Sequence, residues 1–507
     1  MWGQPPPAVP RAQARVLVKS RPTERCRRDL ASNPLGSSLK PLCVLRVLCG
    51  FNYAKATIES MPISPARAAA FDILLRVERE SSYASELLHS ATYNRLSLAD
   101  HALATELVMG VLRWRSRLDD EISRASSQKL SKLDLEILIA LRLALYQFRF
   151  LDRIPPRAAL HESVELVKRA RKRSAAPFVN AVLRKLHASA TADGPLCPSV
   201  PSVVNSSQAV AETWSHPLWL VERWTREYGL AAAQQICQHN QSTPTTTIRL
   251  RSPHAEPELA AEGIQLLPGA LLSSSRRVQS GDITKTGAFL ERRVVVQDEA
   301  SQLVASLIGR GSNILDCCAA PGGKTLSIAD QNPDSRITAV ELHPHRARLL
   351  QKLLNANPHT LVVAADALHL PISHPFDRIL ADVPCSGTGT LSRNPEIKWR
   401  LTPEDLAELH DRQLAILRSA LTHLQPGGRL IYSTCSLEKE ENEDVIDQAL
   451  ANDKSIHLRD CRKELDHLKS AAELTWPDPA SLTRGPYLRT LPGVHPCDGF
   501  FAAILEK

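Results

Sequence analysis

The sequence predicts an α plus α/β multidomain chain: an N-terminal all-α bundle, a small α/β middle segment and a C-terminal doubly wound sheet. Three observations carry this. Residues 61–187 repeat apolar side chains at helical spacing with almost no strand alternation. Residues 188–213 (ASATADGPLCPSVPSVVNSSQAVAET) lack either period and read as a linker. From residue 297 to 507, five short β-prone runs alternate with helical stretches, the pattern of a parallel sheet.

With 507 residues the chain has material for about three domains. Hydrophobic residues at 43% and charged residues at 23% exclude a chain dominated by disorder. The apolar run Pro41 to Phe51 is broken by Arg46 and falls far short of the roughly 20 residues of a membrane span, so no membrane association is expected. Eleven cysteines, without a C-x-x-C pair, fit neither a disulfide framework nor a zinc ribbon and suit a reducing cytoplasm. No His/Cys cluster has metal-ligand spacing, and no metal is expected.

Charge is unevenly placed. Residues 1–60 hold ten basic and three acidic groups, leaving 52 and 51 in the remainder. Nucleic-acid binding must then come from local patches on a nearly neutral body. Residues 1–60 are rich in Pro, Arg and Ser and without period; they read as a disordered basic extension. It is a targeting segment, a basic tail with affinity for RNA, or an upstream extension from a misplaced start, the last favoured by Met61 directly before the first periodic segment.

The bundle begins at Pro65, with Phe71, Leu74 and Leu75 on one face, and continues through Glu86-Leu87-Leu88. Further helices are predicted at Ala99–Arg117, Leu118–Ser127, Lys132–Phe150, Arg157–Lys172 and Phe178–His187, with Pro155-Pro156 and Pro177 at boundaries. Its basic run is KRARKR, including Lys168, Arg169, Arg171, Lys172 and Arg173, which suits a phosphate backbone or is simply a solvated helix end. After the linker, residues 214–296 carry helical signals at Pro217–Tyr228 and Leu230–His239, then β-prone stretches at Thr245–Leu250 and Val294–Val296, a small sheet that helps clamp substrate.

In residues 297–507 each β-prone run ends on a polar or reactive residue: Asp316, Glu341, Asp366, Asp382 and Cys435. A parallel sheet gathers strand ends along one edge, where ligands bind. The first strand enters DCCAAPGGKT, a small-residue turn that lets backbone N–H groups approach a ligand. A nucleoside-triphosphate loop G-x-x-x-x-G-K-[ST] fails because Cys318 stands where its first glycine is required, and G-x-G-x-x-G is absent. Glu341 is placed for both hydroxyls of a ribose and Asp366 for an adenine amino group, although each alone would equally cap a helix. With the turn they suggest S-adenosylmethionine.

Cys385 in DVPCSGTG and Cys435 in YSTCS follow adjacent strands, fifty residues apart. A free cysteine is usually inert packing. A pyrimidine gives two thiols a purpose: C5 of cytosine becomes nucleophilic only after a thiolate adds to C6, and a base then removes the C5 proton.

DCCAAPGGKT, DVPCSGTG with RNPEIKW, YSTCSLEKEEN and DGFFAAIL together resemble the RNA cytosine-5 methyltransferase family. Residues 64–187 resemble the NusB-like RNA-binding domain, chiefly in ALHESVELVKRA and PFVNAVLRKL. The combination resembles the family's 16S rRNA enzymes of the cytosine-967 type over nearly all of residues 62–507. The resemblance implies a Rossmann-like class I methyltransferase fold, S-adenosylmethionine as cofactor and unassembled or partly assembled 16S rRNA as partner. It implies Cys435 as nucleophile on C6 and Cys385 as the group assisting proton removal or release. It also implies a cofactor site of Cys318, Ala319, Ala320, Pro321, Gly322, Gly323, Lys324, Glu341, Asp366 and Asp382, with Asp382 also near the cytosine ring. DNA cytosine methyltransferases use the Pro-Cys thiol as nucleophile, so Cys435 favours RNA.

Glu341 stands where aspartate is also common, and Cys317 reads as packing. Arg393, Lys398 and Trp399 are candidates for phosphate or base contacts, with packing the rival reading for Trp399. The target base must be unpaired or flipped. Two alternatives remain at this point: the same chemistry on tRNA or another rRNA site, and a non-catalytic RNA-binding assembly factor.

Overall fold

The structure is a computed structural model describing residues 63–93, 95–193 and 205–507. The readings of residues 1–60, and much of the predicted linker, lie outside the described residues.

The bundle is built from helices Pro65–Glu80, Leu98–Arg113, Arg115–Ala125, Leu135–Phe150, Pro156–Arg169 and Ala176–Asp193. Pro65 starts the first of them in the turn where a missing N–H costs nothing. Helix Leu135–Phe150 is buried on nearly every face, as its apolar composition requires, and the others pack around it. The predicted break at Arg117/Leu118 falls instead at Trp114, whose ring is buried in the core and stacks on Phe150 at 5.2 Å. Two buried cations of the bundle are ion-paired, which offsets their burial: Arg149 with Glu121 at 2.6 Å and Arg142 with Asp119 at 2.7 Å.

The stretch read as linker ends in a helix, Ser207–Thr213, started by the Ser206 hydroxyl accepting from Ala209 N–H. Together with Leu218–Tyr228 and Leu230–Gln241 it joins the apolar core of the bundle through Val210, Trp214, Leu220, Trp224 and Ile236. These buried side chains, absent from the alanine- and serine-rich part of the linker, decide the difference.

The middle sheet has four strands: β1 Thr247–Leu250, β2 Gln265–Pro268, β3 Ser275–Ser280 and β4 Val294–Val296, in the order β2-β3-β1-β4, with all pairs antiparallel. Strands β2 and β3 had no clear apolar alternation, because much of their surface is exposed.

The C-terminal sheet contains β5 Asn313–Asp316, β6 Arg336–Glu341, β7 Thr360–Ala364, β8 Phe376–Asp382, β9 Leu424–Thr434, β10 His457–Arg459, β11 Thr483–Arg484, β12 Tyr487–Arg489 and β13 Phe501–Glu506. Its order is β11-β12-β13-β9-β8-β5-β6-β7, with β10 on β13. The β7-to-β9 portion is parallel, as expected, but β13 joins β9 antiparallel, so the whole sheet is mixed. Strand β13 is buried over Phe501–Leu505, and that pairing covers the reactive strand β9 on its second edge.

Candidate functional site

The carboxyl ends of the parallel strands converge as the alternating pattern required. Asp316 ends β5, Glu341 ends β6, Asp382 ends β8, Asp366 lies two residues beyond β7, and Cys435 follows β9 directly. Register holds them level, with Asp316 opposite Leu380 and Asp382 opposite Ser433.

Two adjoining cavities occupy this edge. One, about 330 Å³, is lined by Cys318, Ala320, Glu341, Asp366, Asp382, Cys385 and Cys435, with Leu342, Ala367, Val383 and Ile416 as apolar walls. The second, about 440 Å³, shares Cys318, Ala320, Asp382 and Cys435 and adds Ala319, Pro321, Gly322, Gly323 and Lys324 opposite Arg393, Asp498 and Phe500. The predicted cofactor residues are thus divided between two chambers, with Lys324 in the second.

The first chamber fits S-adenosylmethionine. Glu341 Oε1 accepts from His343 N–H at 2.9 Å and Asp366 Oδ1 from Leu368 N–H at 3.0 Å, which fixes both carboxylates as acceptors for hydroxyl and amino donors. The apolar walls suit a flat ring, and the volume lies within the range of small-ligand pockets, roughly 300–1,000 Å³. At the turn, Gly322 has φ 108°, and a Cβ there would stand 2.6 Å from Leu353 Cδ2. A side chain at this position would be strained and would push the turn from the helix Pro344–Leu354 behind it.

The thiols meet at the junction of the chambers. Cys385 Sγ and Cys435 Sγ are 3.3 Å apart, and Cys435 N–H donates to Cys385 Sγ at 3.3 Å. The contact with Cys435, then burial, pushes the Cys385 thiol well above its ordinary value, so it stays protonated.

One buried carboxylate joins the two thiol loops. Glu441 accepts from Ser386 N–H at 2.8 Å, Ser386 Oγ at 2.5 Å, Gln413 Nε2 at 2.8 Å and the Ser436 hydroxyl. Ser386 and Ser436 are the residues that follow the two cysteines. Asn442 tightens the same loop, accepting from Thr434 Oγ1 and donating to Ser436 O and Glu438 O. Gly389 N–H donates to Cys435 O at 2.9 Å; a Cβ on Gly389 would fall 2.2 Å from Gly499 O, so only glycine allows this approach.

Asp382 accepts from Lys324 Nζ and Ser433 Oγ, each at 2.7 Å, and Lys324 Nζ lies 4.7 Å from the Phe500 ring centroid. Burial opposes the Lys324 charge, but Asp382 outweighs it and holds the ammonium above its ordinary value. Asp316 is fully buried beneath them; burial raises its carboxyl to about 7 while Thr325 Oγ1 donates to it at 2.7 Å.

Arg393 lines the second chamber, held by Asp498 at 2.7 Å and Asp298 at 3.3 Å. Lys398 is a correction: it is 1% exposed and reaches no surface where nucleic acid could lie. Its ammonium donates to Arg113 O at 3.0 Å and Ser215 O at 2.7 Å. Trp399 is packing, its indole donating to Leu112 O at 2.6 Å. The cause is the end of helix Leu98–Arg113, whose last carbonyls lack partners along the helix and are supplied by this segment. In the KRARKR run, Lys168, Arg169 and Lys172 pair with Glu165, Asp72 and Asp134, while Arg171 and Arg173 are exposed. Cys317 is buried, as packing requires.

The sequence matches the 16S rRNA methyltransferase RsmB/F family over residues 308–506, the NusB family over 64–188, and the ferredoxin-like domain of RsmF/B-like methyltransferases over 216–275. It is 34% identical to the probable ribosomal RNA small subunit methyltransferase B of Bacillus subtilis, covering 88% of this chain and 100% of that one. The chain belongs to the RsmB/F methyltransferase family. The ribosomal RNA small subunit methyltransferase B of Vibrio cholerae is 32% identical over 88% of this chain and 98% of its own. Among solved structures, PH0851 shares the fold with a TM-score of 0.71 at 23% identity, over 89% of this chain and 100% of that one. A methyltransferase homologue from Pyrococcus horikoshii aligns with a TM-score of 0.50 at 26% identity, over 60% of this chain and 100% of its own. As an RsmB/F enzyme the chain is an S-adenosylmethionine-dependent RNA methyltransferase acting on ribosomal RNA, with a NusB-like helical domain in front.

Sequence reasoning passed over Glu441, Asn442, Phe500 and Asp498, although each lies inside or beside a quoted motif, EKEEN or DGFF. Nothing local distinguishes Glu441 from the neighbouring half-buried Glu440; only the fold buries it fully.

Proposed function

We propose that this chain methylates C5 of cytosine in 16S rRNA, at the position of the cytosine-967 type, through a covalent bond between Cys435 and C6. The observation that carries the reading is the 3.3 Å contact of two thiols at the junction of a carboxylate-lined chamber and a chamber holding Lys324, Asp382 and Phe500.

S-adenosylmethionine supplies the electrophilic methyl group. Glu341 and Asp366 would bind its hydroxyl and amino donors, with Cys318 and Ala320 of the turn lining the same chamber. The target cytosine enters the second chamber, its ring against Phe500 and its polar edge toward Asp382 and Lys324. Lys324, held by Asp382, lines the same chamber as Cys435. The Cys435 thiolate adds to C6 and the electron pair of the C5–C6 bond shifts to C5, which would take the methyl carbon as its bond to the sulfonium sulfur breaks and S-adenosylhomocysteine leaves. Water takes the C5 proton, the electron pair left on C5 re-forms C5–C6 and expels the Cys435 thiolate, and the protonated Cys385 thiol, 3.3 Å from that sulfur, assists the release. Both thiols occur at strand ends, which a non-catalytic binding protein would not need.

On the RNA side, Arg393 is a phosphate or base contact at the chamber, and the end of helix Pro156–Arg169 with Lys168 through Arg173 is a phosphate-binding surface. The substrate is naked or partly assembled small-subunit RNA, in which the base can leave its stack, and the reaction belongs in the cytoplasm.

Purified protein incubated with labelled S-adenosylmethionine and unmethylated 16S rRNA should yield 5-methylcytosine at one site. Transfer to tRNA alone would overturn the substrate, and a methylated product other than 5-methylcytosine would overturn the chemistry.

A further inference from the structure

Beyond the two chambers, a third cavity of about 390 Å³ opens on the other side of Cys385. Its wall is shared between domains: Tyr83 comes from the helical bundle, while Cys385, Ile397, Arg400, Glu408 and Arg412 come from the methyltransferase domain. Cys385 and Arg412 also line the carboxylate chamber, so the two spaces are continuous at the thiol.

Tyr83 is placed firmly although its ring is 44% exposed. On its C-terminal side, Ala84 N–H donates to Glu396 at 2.9 Å and Ser85 Oγ to Asn394 at 3.1 Å. On its N-terminal side, Arg400 donates to Val77 O at 2.9 Å, to Ser81 O at 2.8 Å and to Ser82 O. The Arg400 guanidinium carbon stands 5.9 Å from the Tyr83 ring centroid. Arg400 and Arg412 line the cavity together with Asp405 and Glu408, and no salt bridge ties either arginine to a carboxylate among the described residues. Asp405 is occupied by Thr402, whereas Glu408 is exposed and available to a base amino group.

We propose that this cavity is the subsite for the nucleotide next to the target cytosine, its base stacked on Tyr83 and its phosphate between Arg400 and Arg412. The inference rests on the cytosine methyltransferase reading. A flipped cytosine at Cys435 leaves its neighbour unstacked, and an exposed aromatic face beside two arginines without a salt bridge is the chemistry that receives an unstacked nucleotide. The helical domain thereby completes the substrate site itself, in addition to any hold on distant phosphates.

The test uses the full chain and a small-subunit rRNA fragment, either intact or with an abasic residue on one side or the other of the target cytosine. Tyr83→Phe should behave as the unmodified chain. Tyr83→Leu, which keeps apolar bulk without the ring, should raise KM for RNA about tenfold while kcat, S-adenosylmethionine binding and thermal unfolding are unchanged. One abasic substitution should raise KM similarly in the unmodified chain and add nothing to Tyr83→Leu. Tyr83→Leu with an unaltered KM, or abasic and Leu effects that multiply, would overturn the subsite while leaving the enzyme reading intact. No cytosine methylation by the unmodified chain would overturn both.

Discussion

Ser386 and Ser436, fifty residues apart in sequence, both donate to the same buried carboxylate, Glu441, and each directly follows one of the two cysteines. The thiol separation is therefore set by a group that touches neither sulfur.

Replacing Glu441 tests that arrangement. Glu441→Ala leaves buried donors on Ser386, Ser436 and Gln413 without an acceptor, and the protein should lose about 3 kcal/mol of stability, read from denaturant unfolding. Glu441→Gln keeps the shape and one acceptor. It should fold, retain KM for RNA and lose kcat, since the loops no longer hold the 3.3 Å sulfur contact. A Gln variant with unaltered kcat would show that the carboxylate only fills space.

Lys398 makes the opposite prediction from an RNA contact. Lys398→Met removes the donor for Ser215 O, while Arg113 O keeps Gln241 Nε2 at 3.0 Å, and should cost about 1–3 kcal/mol for the carbonyl left unpaired. The salt dependence of RNA binding should be unchanged, because no phosphate contact is lost. A reduced salt slope in a stable Lys398→Met protein would contradict the buried capping role.

Asp316 gives stability a pH dependence with a fixed sign. Its carboxyl is raised from 3.8 to about 7 by burial, with Asp382 adding to the shift and Thr325, Cys318 N–H and Lys324 opposing it. The folded state therefore holds a proton that the unfolded chain releases. The stabilising contribution is full below pH 3.8 and is lost as the pH rises through about 7. Asp316→Asn cannot ionise, so the stability of the natural chain should fall relative to it across that window. Parallel unfolding curves at pH 5 and pH 8, with no change in the difference, would contradict it.

The strand-end residues were legible because their signals are local: a short β-prone run, a polar terminus and a turn of small residues place Asp316, Glu341, Asp366, Asp382 and Cys435 at one edge without knowledge of the packing. Tertiary facts were not. Lys398 resembles a surface cation in RNPEIKW, and becomes buried only because the end of a distant helix exposes carbonyls to it. Strand β13 reads as an apolar run whose partner cannot be inferred, so its antiparallel place beside β9 was unseen. The helix Ser207–Thr213 was hidden among linker-like residues, its reason for folding being the bundle core it meets. Tyr83 carried no motif at all; its position beside Cys385 arises from two domains meeting.

The central claim is that Cys435 forms the bond to cytosine while Cys385 serves its resolution. The direct measurement is denaturing electrophoresis of the protein after incubation with 16S rRNA and S-adenosylmethionine, for the natural chain, Cys385→Ala and Cys435→Ala. Cys385→Ala should accumulate a covalent protein–RNA adduct carrying the methyl group, and Cys435→Ala should form no adduct and lose methyl transfer by several orders of magnitude. An adduct retained in Cys435→Ala and lost in Cys385→Ala would reverse the roles, and full methyl transfer by Cys435→Ala would contradict covalent catalysis by this thiol.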